Sequence, residues 1–410
     1  MARRHGNISK KKTKVIERKP YEVMKLTIKN YELQGCLPVP LLEGISAPYE
    51  YMRSLDIKPF LEFILLYKPD VVHFHTLMGI PRNYLEELKA RGIKTVFTSH
   101  DYYGICPRVT LIRGKNNCSD YDCEKCADCN KDATSIKKVR ILQSGLYRTL
   151  KDTAIIKVLR KKHRKQNELS VGVCEEAPFY STQSVSKEYV KLRKYYLSML
   201  ELFDIVHFNS NNTKKIYCSY SDKIRGKVLN ISHCDISDHR KKRTRHSICH
   251  LTYLGPETYH KGYYLLLAVC DELWKKGYKF IVNIYFQPET EKPYIEPHKP
   301  YNYKELSAIM DDSDYVLVPS LWNETYGFTV AEAMSYGVPV IVSNTVGAKD
   351  EIEDEINGVI AKATTSSFYH ALKNVIDNPS IFDKYNTNIC KGRPPRTMIM
   401  HCQDILKLYK

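Results

Sequence analysis

The stretch that decides the fold is Pro319-Ser-Leu-Trp-Asn-Glu-Thr-Tyr-Gly-Phe-Thr-Val-Ala-Glu-Ala-Met-Ser-Tyr-Gly-Val-Pro-Val-Ile-Val-Ser343. Its pattern predicts the end of a strand, a loop, a short helix, a tight turn and a buried strand. Two carboxylates, Glu324 and Glu332, lie on either side of Gly327, where the helix is expected to begin. In open α/β sheets, a loop at the carboxyl end of a strand is where ligands bind.

The chemistry of this stretch favours an anionic ligand. Gly327 has no side chain, so a ligand can approach the backbone there. The N–H groups of Phe328 and Thr329 begin the helix, and its dipole favours a diphosphate. Glu332 could reach ribose hydroxyls, and Glu324 could accept hydrogen bonds from a sugar. The alternative is a pair of ordinary surface glutamates around a helix start.

Short apolar strands alternate with helices on both sides of this stretch. The predicted strands cover residues 71–75, 94–99, 204–210, 250–255, 279–286, 315–320 and 338–343. This rhythm predicts an α/β protein with parallel sheets covered on both faces. We expect two Rossmann-like, doubly wound domains, 1–240 and 241–410, with a cleft between them. The last helix, over 396–410, is expected to pack on either domain.

The opening of the chain departs from this rhythm. Residues 1–30 are polar and basic without a clear period, so the first strand is atypical or missing. Residues 25–28 are the candidate replacement. The basic start has no apolar region behind it and predicts no signal peptide. We therefore expect a cytoplasmic protein, whose 13 cysteines are free thiols or metal ligands rather than disulfides.

The net charge of +17 suggests that the protein binds a negatively charged partner. Nucleic acid, anionic lipid and phosphorylated small molecules all fit it. Nucleic acid is not the expected partner, because continuous basic stripes with stacking aromatics are not evident. Residues 137–165 alternate apolar and basic side chains, which suits peripheral contact with an anionic membrane at its inner face. A plain amphipathic helix covering the sheet is the alternative.

Further candidate site residues follow other strands. Lys261 lies between a strand and a helix, where it could neutralise a diphosphate leaving group without a metal. His100 could hydrogen-bond the reacting sugar, and Asp101 could orient it or assist the acceptor. His75 and Arg108 are acceptor-side candidates. The alternatives are a solvated loop lysine, packed histidines and a structural arginine.

Four cysteines form a compact group in a loop: Cys118, Cys123, Cys126 and Cys129. Their thiolates could hold a structural Zn²⁺. The Cys-x2-Cys-x2-Cys spacing also fits iron–sulfur ligation, but the usual fourth cysteine and proline are absent. Free thiols or a disulfide are the alternatives.

The stretch 319–343 resembles the signature of the retaining nucleotide-sugar glycosyltransferases of family 4, of the glycogen synthase/phosphorylase-like superfamily. The segment Ser99-His-Asp-Tyr-Tyr-Gly-Ile-Cys-Pro-Arg108 resembles a motif from the first domain of the same family. The resemblance covers about residues 71–360. It implies a GT-B fold, catalysis that requires no metal cofactor, retention at the anomeric carbon, and a role in polysaccharide, lipopolysaccharide or glycolipid synthesis in the bacterial cell envelope.

The resemblance also assigns roles to residues. Glu324 would contact the donor sugar and Glu332 the ribose. The amides of Gly327, Phe328 and Thr329 would bind phosphate and sugar, and His100 would face the reacting sugar. The cysteines would form a structural clip at the mouth of the site.

One position departs from the family pattern. Pro256 stands where an arginine is expected, so leaving-group stabilisation would depend on Lys261, the helix amides and, weakly, His260. The working hypothesis is hexose transfer from a UDP- or GDP-sugar to a carbohydrate or lipid-linked acceptor. A catalytically inactive nucleotide-binding homologue that acts as a scaffold is the alternative. A nucleic-acid-binding protein with a zinc module is a third hypothesis.

Overall fold

The computed structural model describes residues 12–23, 26–41, 43–121, 123, 125–153, 157–158 and 183–410. The strands are β1 (Lys14–Val23), β2 (Leu26–Gln34), β3 (Val71–Phe74), β4 (Lys94–Ser99), β5 (Ile112–Arg113), β6 (Asn116–Asn117), β7 (Ile205–Phe208), β8 (Gly226–Val228), β9 (Cys249–Tyr253), β10 (Phe280–Ile284), β11 (Ile295–Pro297), β12 (Tyr315–Val318), β13 (Val340–Ser343) and β14 (Val359–Ala361).

The α-helices of the described residues are α1 (Lys58–Tyr67), α2 (Arg82–Ala90), α3 (Cys126–Cys129), α4 (Ile136–Leu142), α5 (Gly145–Leu150), α6 (Gln183–Leu202), α7 (Asn211–Tyr220), α8 (Tyr263–Lys275), α9 (Leu306–Asp311), α10 (Phe328–Ser335), α11 (Thr365–Asp377), α12 (Ser380–Lys391) and α13 (Met398–Tyr409). Short 3-10 helices cover Pro48–Tyr51, Tyr303–Glu305 and Gly347–Glu351.

Two separate parallel sheets organise the chain. The first has the strand order β3-β4-β7-β8, and the second has the order β11-β10-β9-β12-β13-β14. Every residue of β12 and β13 is buried, as expected of central strands that are covered on both faces. The predicted α/β class with parallel sheets is thus confirmed, and the carboxyl ends of the strands become the expected place for ligands.

The beginning of the chain forms its own antiparallel ribbon. β1 pairs with β2, and neither strand joins the larger sheets. The prediction that residues 25–28 replace a first strand of the main sheet was therefore wrong, although Lys25 itself lies outside the described residues. The physical reason is composition. Both strands carry charged side chains and are largely exposed, which a parallel sheet covered on both faces could not accommodate.

The basic segment 137–165 is interrupted where the structure describes it. α4 and α5 are separate helices, and the side chain of Ser144 caps the second by accepting the N–H of Tyr147. One continuous amphipathic helix is therefore a wrong prediction for residues 137–150. Residues 154–156 and 159–165, which carry much of the predicted charge pattern, lie outside the described residues.

The last helix packs on the first sheet through a chain of hydrogen bonds. His207 Nε2 lies 2.7 Å from the carbonyl of Leu229, which can only accept, so this nitrogen carries the proton. Burial lowers the pKa of His207 to about 4, so the ring is neutral at pH 7 and its other nitrogen, Nδ1, accepts from the Thr98 hydroxyl at 2.9 Å. Thr98 in turn accepts from Nε2 of His73 at 2.7 Å, and Nδ1 of His73 accepts from the Tyr409 hydroxyl at 2.7 Å. Burial also lowers the pKa of His73, to about 3, so both rings are neutral in this arrangement.

Candidate active site

Lys261 is placed by a glycine that no other residue could replace. Gly262 has a φ of 81°, and a Cβ on it would lie 1.9 Å from the carbonyl oxygen of Pro319. The loop before α8 can therefore lie directly against the end of β12. As a result, Lys261 Nζ lies 3.0 Å from Oε1 of Glu324. The ammonium also lies 5.2 Å from the centre of the Trp322 ring.

Glu324 is held rigidly at the carboxyl end of β12. Its N–H donates to the carbonyl of Thr345 at 3.1 Å, and its own carbonyl accepts the N–H of Gly347 at 3.1 Å. The Ser320 hydroxyl donates to Oε1, the same oxygen that contacts Lys261. The residue is 7% exposed. The carboxylate is therefore fixed in orientation, with one oxygen already paired.

The second oxygen of Glu324 lies beside the start of α10. Gly327 precedes the helix with a φ of 102°, and a Cβ there would lie 3.3 Å from Oε2 of Glu324 and 2.8 Å from Val346. The first N–H groups of an α-helix, here those of Phe328 and Thr329, have no carbonyl partner within the helix. The structure thus brings Lys261, Glu324 and the helix N-terminus together, as the sequence predicts.

Glu332 occupies a separate, aromatic part of the same helix. It is 5% exposed, and its Oε1 accepts the Tyr303 hydroxyl at 2.7 Å. His233 Nε2 lies 3.1 Å from the same oxygen. The His233 ring makes edge contacts with Phe328, at 4.9 Å between centres, and with Tyr303, at 5.4 Å. Burial and the bond to Glu332 raise the pKa of Tyr303.

His233 and Tyr303 were missed at the level of sequence. His233 lies in the segment that follows β8, and Tyr303 opens the 3-10 helix before α9. Neither residue lies close enough to Glu332 in the sequence to form a recognisable motif with it. The available signal was only their position after parallel strands, which many other polar residues share.

His100 and His75 meet on the first sheet. Nδ1 of His75 lies 2.9 Å from Nε2 of His100, and the rings of His73 and His75 stack at 4.3 Å between centres. Burial against the protein lowers the pKa of His100 to about 4 and also lowers the pKa of His75, although both residues keep an exposed edge. At neutral pH the pair is therefore uncharged, and one ring donates an N–H to the other.

Asp101 and Arg108 are already hydrogen-bonded within the protein. A carboxylate oxygen of Asp101 accepts the N–H of Tyr103 at 2.8 Å, and its carbonyl accepts the hydroxyl of Tyr217. Arg108 Nη1 donates to the carbonyl of Cys129 at 3.0 Å. These contacts order the turn after β4 and connect it to the cysteine loop.

Three of the four loop cysteines, Cys118, Cys123 and Cys126, pack with the hydrophobic core around the first sheet. Cys123 and Cys126 are buried, and burial raises the pKa of Cys118 and Cys129. Within the described ranges, the only group of three side chains spaced for a metal ion is elsewhere, on the second sheet. The structural zinc at these cysteines stays a prediction.

A buried arginine holds this loop in place. Arg193 is 5% exposed, and its Nη1 donates to the carbonyls of Asp120 and Tyr121 at 2.7 and 2.8 Å. Its Nη2 lies 3.5 Å from the sulfur of Cys126. The sequence gives no sign of this contact, because Arg193 comes from α6, far along the chain.

The loop that carries Glu324 is bound from the first half of the chain. The Thr325 hydroxyl donates to the carbonyl of His100 at 3.0 Å. Its own carbonyl accepts the hydroxyls of Ser210 at 2.8 Å and Thr213 at 3.0 Å. The two halves therefore meet at the residue next to Glu324, and His100 lies on the opposite side of the same cleft.

Residues 238–391 match the family described as glycosyl transferases group 1. This region contains Lys261, Glu324, Gly327 and Glu332. A protein of Klebsiella pneumoniae, described as an uncharacterized 41.2 kDa protein in the cps region, is 28% identical over 157 residues. That alignment covers 37% of this chain and 42% of the relative, so it spans less than half of the relative's length.

Two solved structures share the fold over most of this chain. Sucrose-phosphate synthase from Thermosynechococcus elongatus superposes with a TM-score of 0.52 and 12% identity, over 86% of this chain and 76% of the other. Anabaena HepE in complex with UDP superposes with a TM-score of 0.51 and 11% identity, over 86% and 81% of the two chains. The fold is thus GT-B.

Proposed function

We propose that the protein transfers a hexose from a UDP- or GDP-sugar to a hydroxyl group, with retention of the anomeric configuration. The observation that carries the proposal is the contact of Lys261 with Glu324 beside the N-terminus of α10. A cation, a fixed carboxylate and unpaired amides then converge at the carboxyl end of β12. This set matches the charges of a sugar diphosphate.

Each part of the donor has a partner in this arrangement. The diphosphate lies between Lys261 Nζ and the amides of Phe328 and Thr329. The sugar hydroxyls bind Oε2 of Glu324, whose other oxygen is already held by Ser320 and Lys261. The ribose hydroxyls bind the carboxylate of Glu332, either in place of the Tyr303 hydroxyl or together with it. The indole N–H of Trp322 is buried without a partner among the described residues and can donate to the donor as well.

The bond changes are those of a front-face substitution. The bond between the anomeric carbon and the diphosphate oxygen breaks, and its electron pair leaves with the diphosphate. The acceptor oxygen bonds to the same face of that carbon, and its proton passes to the departing diphosphate oxygen. Lys261 and the amides of α10 stabilise the charge on the leaving group. No carboxylate is assigned as a nucleophile.

The acceptor approaches from the side of His100. Because the His75–His100 pair is neutral, His100 can offer Nδ1–H when Nδ1–H of His75 donates to its Nε2. That proton can bond to a sugar hydroxyl or to the developing charge. Asp101 and Arg108 act by shaping the turn around it. A carbohydrate or lipid-linked acceptor in polysaccharide or glycolipid synthesis fits the relative in a cps region.

Location at a membrane is a further part of this proposal. None of the helices in the described ranges is both long and apolar enough to pass through a bilayer. A cytoplasmic protein with peripheral contact at the inner membrane face would reach a lipid-linked acceptor through basic surface residues. Partition between vesicles with and without anionic lipid measures this contact.

A specific observation favours a second candidate, a nucleotide-binding homologue without transfer activity. Pro256 occupies the place of the expected arginine, and its carbonyl accepts the Tyr253 hydroxyl at 2.9 Å. His260 contacts the edge of Trp322, and burial together with Lys261 lowers its pKa. His260 is therefore neutral at pH 7 and adds no second positive charge. Lys261 would be the remaining cation of the leaving-group site.

The test is a thermal-shift panel with UDP, GDP, ADP, their sugar conjugates and short DNA, followed by assay of sugar release and transfer. Selective stabilisation by one nucleotide, with sugar released from its conjugate, supports the transferase. Stabilisation by the nucleotide without sugar release on any acceptor tested supports the inactive homologue. Stabilisation only by DNA, with a steep salt dependence, would support the nucleic-acid hypothesis instead.

A further inference from the structure

A group of potential metal ligands lies away from the donor site. Of the residues that the structure describes, His246, His250 and Asp312 place one ligand atom each within 4.8 Å of the others. The two imidazole rings are parallel, with centres 4.1 Å apart and planes at 4°, so one ring has to turn for both to face a single ion. His250 lies near the amino end of β9, and Asp312 follows α9. The group is therefore at the sheet edge opposite to Lys261 and Ser320.

A buried carboxylate orients the first imidazole. Asp314 is 1% exposed, and its oxygens accept the backbone N–H of His246 at 3.1 Å and that of His250 at 2.8 Å. The same residue lies 3.0 Å from Nδ1 of His246. Because a carboxylate only accepts, Nδ1 carries the proton and Nε2 is left basic. Metal-binding histidines commonly have this second contact, which fixes the tautomer.

The ligand atoms are close to the spacing that an ion needs. Nδ1 of His250 lies 3.2 Å from both Oδ1 and the carbonyl oxygen of Asp312, so without an ion it carries a proton, which a bound ion would displace. Nε2 of His246 lies 3.9 Å from the same Oδ1. Zinc bonds of about 2.0–2.2 Å in tetrahedral geometry separate neighbouring ligands by about 3.3–3.6 Å. Asn283 donates to the other oxygen, Oδ2, at 3.2 Å, so Oδ1 is the oxygen presented to the imidazoles. Asp312 is exposed, which leaves room for water.

We propose that His246 Nε2, His250 Nδ1 and Asp312 Oδ1 bind one divalent transition-metal ion of the Zn²⁺ class, with water completing its coordination. The ion would connect the segment that joins the two halves of the chain to β9 and to the end of α9. It takes no part in sugar transfer. An ion that binds only the folded protein stabilises it, so the site would make thermal stability depend on metal.

The experiment uses the full chain after treatment with a chelator. Zn²⁺, Ni²⁺ or Co²⁺ is titrated by calorimetry, and the unfolding temperature is measured with each ion and with Mg²⁺. We expect one equivalent to bind and to raise the unfolding temperature, with no effect of Mg²⁺. His246→Gln and His250→Gln should each raise the dissociation constant by more than about tenfold. His239→Gln, an exposed histidine of the same segment, is the matched control.

Cobalt distinguishes this site from the cysteine loop. A nitrogen and oxygen site gives visible Co²⁺ absorption without a sulfur-to-metal charge-transfer band, whereas thiolate ligands produce that band. Metal-free unfolding temperatures of the two variants near that of the wild type would show that they fold. Absence of binding, or binding that neither substitution weakens, would overturn the proposal. The donor site is not involved, so this result is independent of the transferase proposal.

Discussion

The two sides of the cleft differ in how completely their polar groups are fixed before any substrate arrives. On the donor side, Glu324 is buried against Lys261 and Ser320, and Glu332 is buried against Tyr303 and His233. On the acceptor side, His75 and His100 bond to each other and keep exposed edges. In the proposed transferase, the fixed side would bind the diphosphate of the donor and the open side would receive the hydroxyl of the acceptor.

The largest effect is expected from Glu324→Gln. The amide keeps the shape but cannot pair with the Lys261 ammonium as a carboxylate does, and its NH₂ group would oppose the Ser320 hydroxyl or the donor. We expect the rate of sugar transfer to fall by about 10²–10³-fold, the cost of losing one preorganised electrostatic partner. Transfer rates with saturating donor measure the change. Wild-type activity in a folded variant would remove Glu324 from the chemistry.

Glu332→Gln should weaken donor binding rather than slow the chemical step. Loss of a hydrogen bond between a charged group and ribose costs about 1.5–3 kcal/mol, so the dissociation constant of the nucleotide should rise on the order of 10- to 100-fold. Calorimetric titration with the nucleoside diphosphate checks this. The exposed Glu353→Gln is the control. A fall in kcat at unchanged affinity would contradict a ribose role.

A fall in pH should destabilise the first sheet, on the acceptor side, before it destabilises the donor side. Burial lowers the pKa of His73 to about 3 and that of His207 to about 4, both below the ordinary value of 6.5. Their neutral forms therefore stabilise the fold fully above pH 6.5, and this contribution is lost as the pH falls from 6.5 toward 4 for His207 and toward 3 for His73. For His207, which is fully buried, the loss at pH 5 is on the order of 1–2 kcal/mol.

Hydrogen exchange at pH 7.5 and pH 5 measures this difference. Protection in β4, β7 and α13 should fall more than protection in α10 and β13. His207→Gln should reduce the pH dependence of the urea midpoint, whereas His239→Gln should leave it as in the wild type. Equal loss of protection on both sheets would show that these histidines do not set the acid response.

The smallest effect is expected from Thr325→Val, which removes the hydroxyl that donates to His100. The isosteric change costs about 0.5–1.5 kcal/mol of unfolding free energy, the usual net value of a hydrogen bond. It should also loosen the Glu324 loop relative to the acceptor side and lower kcat severalfold, with the nucleotide affinity retained. Ser219→Ala, at an exposed position of α7, is the control for a general loss of stability.

The same contrast explains what could be predicted from sequence. The donor side was accessible because its residues lie within one short segment, from Ser320 to Glu332, and local spacing fixes their relation. The position of Lys261 near this segment could be predicted because the carboxyl ends of neighbouring parallel strands lie at the same edge of a sheet. The buried β12 and β13 were evident as apolar runs. Continuous patterns of this kind depend little on long-range packing.

The remaining parts depended on contacts between distant residues. Arg193 reaches the cysteine loop from α6, and Tyr409 reaches His73 from the end of the chain. The pairs of His233 and Tyr303 with Glu332 arise in the same way. The β1–β2 ribbon was missed because exposed strands with charged residues on both faces have no apolar alternation to reveal them.

The measurement that tests the account most directly is the difference in affinity between a nucleoside diphosphate and the corresponding monophosphate. Calorimetry should be performed on the wild type and on Lys261→Met, with UDP and UMP or GDP and GMP. The wild type should bind the diphosphate more tightly, and Lys261→Met should remove most of that preference while both proteins still bind the monophosphate. A preference that is equally large in the variant would contradict a diphosphate site between Lys261 and α10.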